Sequence, residues 1–97
     1  MIAAVATMYV REDKAEEFAS AVSQLERDVV ANEPDCLLYR FARDRKDPGI
    51  YRSLEIFRDQ AAIDFHVAQD HFRTGVKAMR ACLTDTPSTV EFMDTLS

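Results

Sequence analysis

The chain's only two histidines, His66 and His71, lie five residues apart in the stretch DFHVAQDHF (64–72), with Asp64 and Asp70 close by. Three kinds of chemistry could use such a pair: metal ligation, acid–base work on a substrate, or packing with a satisfied hydrogen bond. At about 100° per residue, positions five apart point about 140° away from each other on one helix, unlike the same-face i, i+4 pairs of helical metal motifs. A helix break at Asp70 relaxes that geometry but supplies no third ligand, and neither Cys36 nor Cys82 stands at zinc-site spacing. We therefore expect no metal here. His66 lies between Ile63 and Val67 and beside the apolar stripe of its helix, so it is expected to face the sheet. There it serves either as packing or as a neutral imidazole able to accept or donate a proton near pH 7. His71 falls in the first turn of the following helix, where the dipole disfavours a cation, and is expected to be exposed.

Glu55 is the second acid–base candidate. It shares a strand face with Ser53 and Phe57, and a carboxylate on a covered face needs a partner, by default an arginine. Without one its pKa rises and it could act as a base. Tyr39 and Tyr51 offer hydroxyls on neighbouring strands. Phe57, Phe72 and Met79 are the apolar side chains expected to line a pocket beside them. Arg40, Arg43, Arg45, Lys46, Arg52 and Arg58 gather mid-chain; this cluster is either a solvated rim or a site for an anionic group, with Arg40 the candidate contact. With Gly49 and Gly75 the only glycines, a phosphate-cradling loop is not available, and no nucleotide or flavin is implied.

The elements that hold these residues follow from periodicity. Ile2–Val10 is a breaker-free strand pattern. REDKAEEF then opens a helix, with Asp13 the expected N-cap and Glu16 completing a capping-box pair. Ala15, Phe18, Val22, Leu25 and Val29 form its apolar stripe, and Pro34 ends it near Asn32. CLLYRFAR (36–43) and IYRSLEIF (50–57) are two strands joined across the turn DRKDPG (44–49). Asp59 caps a short helix carrying Ala62, Ile63 and His66. Phe72, Val76, Met79 and Leu83 mark another helix, and STVEFMD (88–94) is the last strand. The order β-α-β-β-α-α-β predicts one domain over residues 1–97: an α+β, ferredoxin-like split βαβ fold whose antiparallel sheet carries helices on one face. Strand three is apolar on both faces (Ile50, Leu54 and Ile56 against Tyr51, Ser53, Glu55 and Phe57). The helices can cover only one of them, so a second copy of the chain is expected to cover the other, as a homodimer.

A net charge of −5 and a pI near 4.9 argue against a nucleic-acid partner. The apolar runs are too short to span a bilayer, the N-terminus lacks a basic leader, and two cysteines outside any CxxC fit a reducing, cytoplasmic location.

EPDCLLY (33–39), LEIFRDQAAIDFH (54–66) and the pair His71–Phe72 resemble the antibiotic biosynthesis monooxygenase family, in the right order along nearly the whole chain. That resemblance implies a dimeric α+β barrel and cofactor-independent oxygenation of a quinol- or anthrone-type substrate. The family usually has Gly where this chain has Asp35, and often Trp where it has Phe57. A haem-degrading branch uses an Asn in the first strand, that Trp, and a His one turn into the helix after His71–Phe72, near Val76. None of these is present, which argues against haem degradation. Another branch isomerises a phosphorylated autoinducer-2 signal and is similar at REDKAEEF; the arginine cluster would suit its substrate. A non-catalytic small-ligand-binding dimer is the third reading.

Overall fold

The computed structural model describes residues 1–97. Strand β1 (Ile2–Tyr9) leads through a 3₁₀ turn (Glu12–Lys14) into helix α1 (Ala15–Asn32), then β2 (Cys36–Arg43), β3 (Ile50–Phe57), α2 (Gln60–Ala68), α3 (Asp70–Arg80) and β4 (Thr89–Asp94). The four strands form one antiparallel sheet in the order β2-β3-β1-β4, the ferredoxin-like α+β arrangement. No helix is long and apolar enough to cross a membrane.

One expected cap is corrected. Asp13 does not cap α1: it sits inside the 3₁₀ turn and pairs with the Arg11 guanidinium at 3.3 Å, and α1 begins after Lys14 with no side-chain cap. The tight turn consumes the residues that a capping box would need in extended geometry. Asp59 does cap α2, its Oδ1 accepting from the Ala62 N–H at 2.9 Å.

Phe18, Val22, Leu25 and Val29 of α1 are buried against the sheet, together with Met8, Tyr39, Tyr51 and Met79. Helix α3 packs against α1 at Gly75, where a Cβ would lie 2.9 Å from Leu25 Cδ2 and 3.2 Å from Leu25 Cγ, so a methyl there would force the Leu25 side chain or the helices to shift. Strand alternation fixes the two sheet faces. Tyr51, Ser53, Glu55 and Phe57 lie under the helices, opposite Met8, Ala6, Ala4 and Ile2 of β1. Leu38, Leu54, Ile56 and Met93 lie on the uncovered face, with Leu38, Leu54 and Met93 each at least 40% exposed.

Candidate active site

The helices cover the sheet unevenly. Strand β4 has no helix above it, so Val90 and Phe92, opposite Ala6 and Ala4 in register, stay exposed beside α3. The small alanines of β1 and this missing cover leave a cavity of about 300 Å³ between the sheet, α2 and α3. That is the lower end of the range for small-molecule sites. Its buried end is formed by Tyr39, Ser53, Phe57 and His66, with Glu55 half-buried beside them; its rim is formed by exposed Val67, Arg80, Ser88, Val90 and Phe92. Of the residues singled out in the sequence, His66, Glu55, Tyr39, Phe57, Phe72 and Met79 meet here. Tyr51 and Arg40 do not. Tyr51 packs on Phe18 with ring centroids 4.9 Å apart. Arg40 alternates to the uncovered face opposite Leu54, with Glu26 at 3.9 Å.

His66 is held on three sides by rings: Phe72 at 4.6 Å, Tyr39 at 5.1 Å and Phe57 at 5.2 Å between centroids. Its Nδ1 is bonded to Glu33 Oε1 at 2.8 Å. A carboxylate only accepts, so the imidazole carries its proton on Nδ1 and leaves the Nε2 lone pair free. Every fully buried side-chain nitrogen or oxygen has a partner. Nε2 has none in the chain, so it borders accessible space, the cavity that His66 lines. Burial among the rings lowers the His66 pKa, and the Glu33 charge offsets that only in part. At neutral pH His66 is therefore a free base with a fixed tautomer.

Glu33, which the sequence offered only as the residue where α1 must stop, is the anchor of the site. Its side chain is 1% exposed, and its second oxygen, Oε2, is bonded to His71 Nε2 at 2.5 Å. The expectation for His71 is corrected accordingly: it is half-buried, not a bystander at the helix start. The extended backbone at Gln69 separates α2 from α3 and re-aims the second helix. Two histidines that would diverge on one helix thereby reach opposite oxygens of one carboxylate. A signal for Glu33 did exist. An acid in the last turn of a helix opposes the macrodipole, so a glutamate between Asn32 and Pro34 needed a cationic or N–H partner elsewhere.

The partner of Glu55 also differs from expectation. It is not an arginine: the Ser53 hydroxyl donates to Glu55 Oε2 at 2.6 Å, while Ser53 Oγ accepts from the Ala6 N–H at 3.2 Å. Burial raises the Glu55 pKa, the Ser53 bond opposes this, and the Glu33 charge adds to the rise. Burial and the nearby carboxylates push the Tyr39 phenol well above its usual range, so it remains a protonated donor. The Cys36 thiol is pushed up to about 12, chiefly by burial, and is no nucleophile. The mid-chain bases do not converge on the cavity. Arg52 is paired with Asp44 and Arg58 with Asp35, each at 2.9 Å, while Arg43 donates to the Pro48 carbonyl. Arg80, in the last turn of α3, is the basic residue at the rim.

The fold and site together define a small α+β protein with an apolar cavity and a carboxylate-anchored imidazole at its buried end. The chain belongs to the antibiotic biosynthesis monooxygenase family, whose model matches residues 1–78. A crystal structure from Caulobacter crescentus CB15, provisionally named an antibiotic biosynthesis monooxygenase, superposes with a TM-score of 0.94 at 32% identity, covering 99% of this chain and 90% of that one. A second structure, named an antibiotic biosynthesis monooxygenase, superposes with a TM-score of 0.89 at 29% identity over the full length of both chains. The uncharacterized protein sll1783 of Synechocystis is 34% identical over 68 residues. The chain covers only 46% of that relative's length.

Proposed function

We propose that this protein is a cofactor-independent monooxygenase acting as a homodimer on a small, electron-rich aromatic of the quinol or anthrone type. The observation that carries the reading is the His66 imidazole, tautomer fixed by buried Glu33, with Nε2 free at the end of an apolar cavity. In this reading the ring system lies against Phe57, Phe72 and Met79, and an acidic C–H or O–H proton passes to Nε2. Tyr39 donates to the oxygen on which the charge develops.

For an anthrone the step balances without an external reductant. Loss of a CH₂ proton gives an anion that transfers one electron to O₂, forming a substrate radical and superoxide. These couple to a carbon-bound peroxide, which takes the proton back from His66. The remaining C–H proton then leaves as the O–O bond breaks, giving a ketone and water, so that CH₂ plus O₂ becomes C=O plus H₂O. The substrate supplies all four electrons that reduce O₂, including the two that a flavin would otherwise deliver. The chain supplies orientation, a fixed base and exclusion of bulk water.

Oxygen uptake above the uncatalysed rate with an anthrone tests this. His66→Ala is expected to lower kcat by about 100-fold or more, the usual contribution of a positioned base. Wild-type-like turnover in that variant removes His66 from the mechanism. Ligand binding without oxygen uptake by the wild type leaves a binding protein. Conversion of a phosphorylated keto-sugar under strict anaerobiosis makes it an isomerase.

A further inference from the structure

Glu33 is one buried carboxylate shared by two imidazoles that open onto different spaces. His66 lines the cavity, whereas His71 lines a separate groove between α1 and α3 with Gln24, Asp28 and Thr74. We infer that His71 is a positioning residue that sets the basicity of His66 through Glu33, the two imidazoles competing for a single negative charge. The inference builds on the oxygenase reading, since it assigns His71 a part in the same proton transfer.

A carboxylate removed from water can match one imidazolium. A second cation in a pocket walled by Tyr39, Phe57 and Phe72 would leave an unmatched positive charge, which low-dielectric surroundings penalise heavily. With His71 protonated, Glu33 is matched and His66 stays a free base. With His71 neutral, the unmatched carboxylate draws a proton to His66. When His66 takes a proton from substrate, release of a proton from His71 Nδ1 to the groove restores neutrality, and uptake there accompanies its return to the peroxide. The two imidazoles answer to the same carboxylate charge, so no proton has to cross the carboxylate.

The surrounding charges do not replace this coupling. On β2 and β3, Cys36, Tyr39 and Glu55 are the titratable neighbours of Glu33; the thiol and phenol remain neutral at pH 7. On α1, Gln24 ties Asp28 to Arg27. Asp70 is engaged by Arg73, and Asp64 of α2 accepts from Gln60 at 3.0 Å.

The chain has two histidines, so imidazole ¹⁵N NMR reports both without ambiguity. In the wild type each ring is expected to show two inflections with pH, one at its own titration and one at its neighbour's. In His71→Gln the His66 midpoint is expected to rise by about one pH unit, a tenfold gain in proton affinity. The acid limb of kcat/KM should move to higher pH by the same amount. A purely structural role would lower stability and leave both midpoint and profile in place. Single, independent inflections in the wild type overturn the coupling without recourse to any variant. If the NMR coupling is present but oxygen uptake is absent, the oxygenase reading fails and the shared carboxylate stands.

Discussion

At the scale of the residue, the buried end of the cavity holds two titrating groups whose folding linkages have opposite sign. His66 has a folded pKa below its usual 6.5, so its contribution is retained above that pH and lost as pH falls from there toward the folded value. Glu55 has a folded pKa above its usual 4.5, so its contribution is fully present below pH 4.5 and lost as pH rises through the folded value. Glu55→Gln removes the second trend. Its thermal midpoint should equal or exceed that of the wild type at pH 7 and vary less between pH 4.5 and 7. The same variant separates the two candidate bases. If His66 is the base, Glu55→Gln keeps oxygen uptake within about tenfold, whereas loss comparable to that of a removed general base, about 100-fold or more, would transfer the role to Glu55.

At the scale of the element, the secondary structure was legible where apolar residues repeat at one period, as in α1 and α3, and where turn or cap residues bound a segment, as for β2, β3 and α2. Strands 36–43 and 50–57 and the end of α1 at Asn32 fall where pattern and Pro34 put them. Side-chain alternation was equally legible, and it rules out Tyr39 and Arg40 sharing one site, since neighbours on a strand face opposite ways. Glu33 was not legible as a site residue. Its bonds to His66 and His71 span 33 and 38 positions, and only the packing of α2 and α3 against the loop after α1 creates them. Gly75 is where α3 meets α1. Replacing it with Ala gains about 1 kcal/mol of helix propensity but forces a methyl into buried Leu25, an overpacking cost of about 1–3 kcal/mol. At the middle of that range the net loss is about 1 kcal/mol, which lowers the midpoint of a domain this size by roughly 4–8 °C. Calorimetry checks the value, and an unchanged or raised midpoint would show that Leu25 or the helices can shift without cost. The perturbation lies beside His71, so His66 NMR shifts should move with it.

At the scale of the whole molecule, the sheet has a covered face that builds the cavity and an uncovered face that remains apolar. Leu38, Leu54 and Met93 are exposed there by 41%, 40% and 44%, beside Ile56 and Val5. Apolar residues on a strand's solvent side contribute nothing to a monomer and invite association through the sheet. A second copy packed face to face would bury them; with each leucine about 40% exposed, the remaining burial is worth about 0.6–1.2 kcal/mol per copy and about twice that per symmetric dimer. Sedimentation equilibrium at micromolar concentration should therefore return twice the 11.0 kDa chain mass. Leu54→Arg, which places a charge mid-face on β3 but away from the cavity, should weaken association by at least the leucine's share in both copies, about tenfold or more in Kd. It should leave the circular dichroism of the sheet and helices largely unchanged, because Leu54 makes no part of the helix-covered core. A wild-type chain that sediments as a monomer at these concentrations would sink the homodimer and leave the apolar face without an occupant.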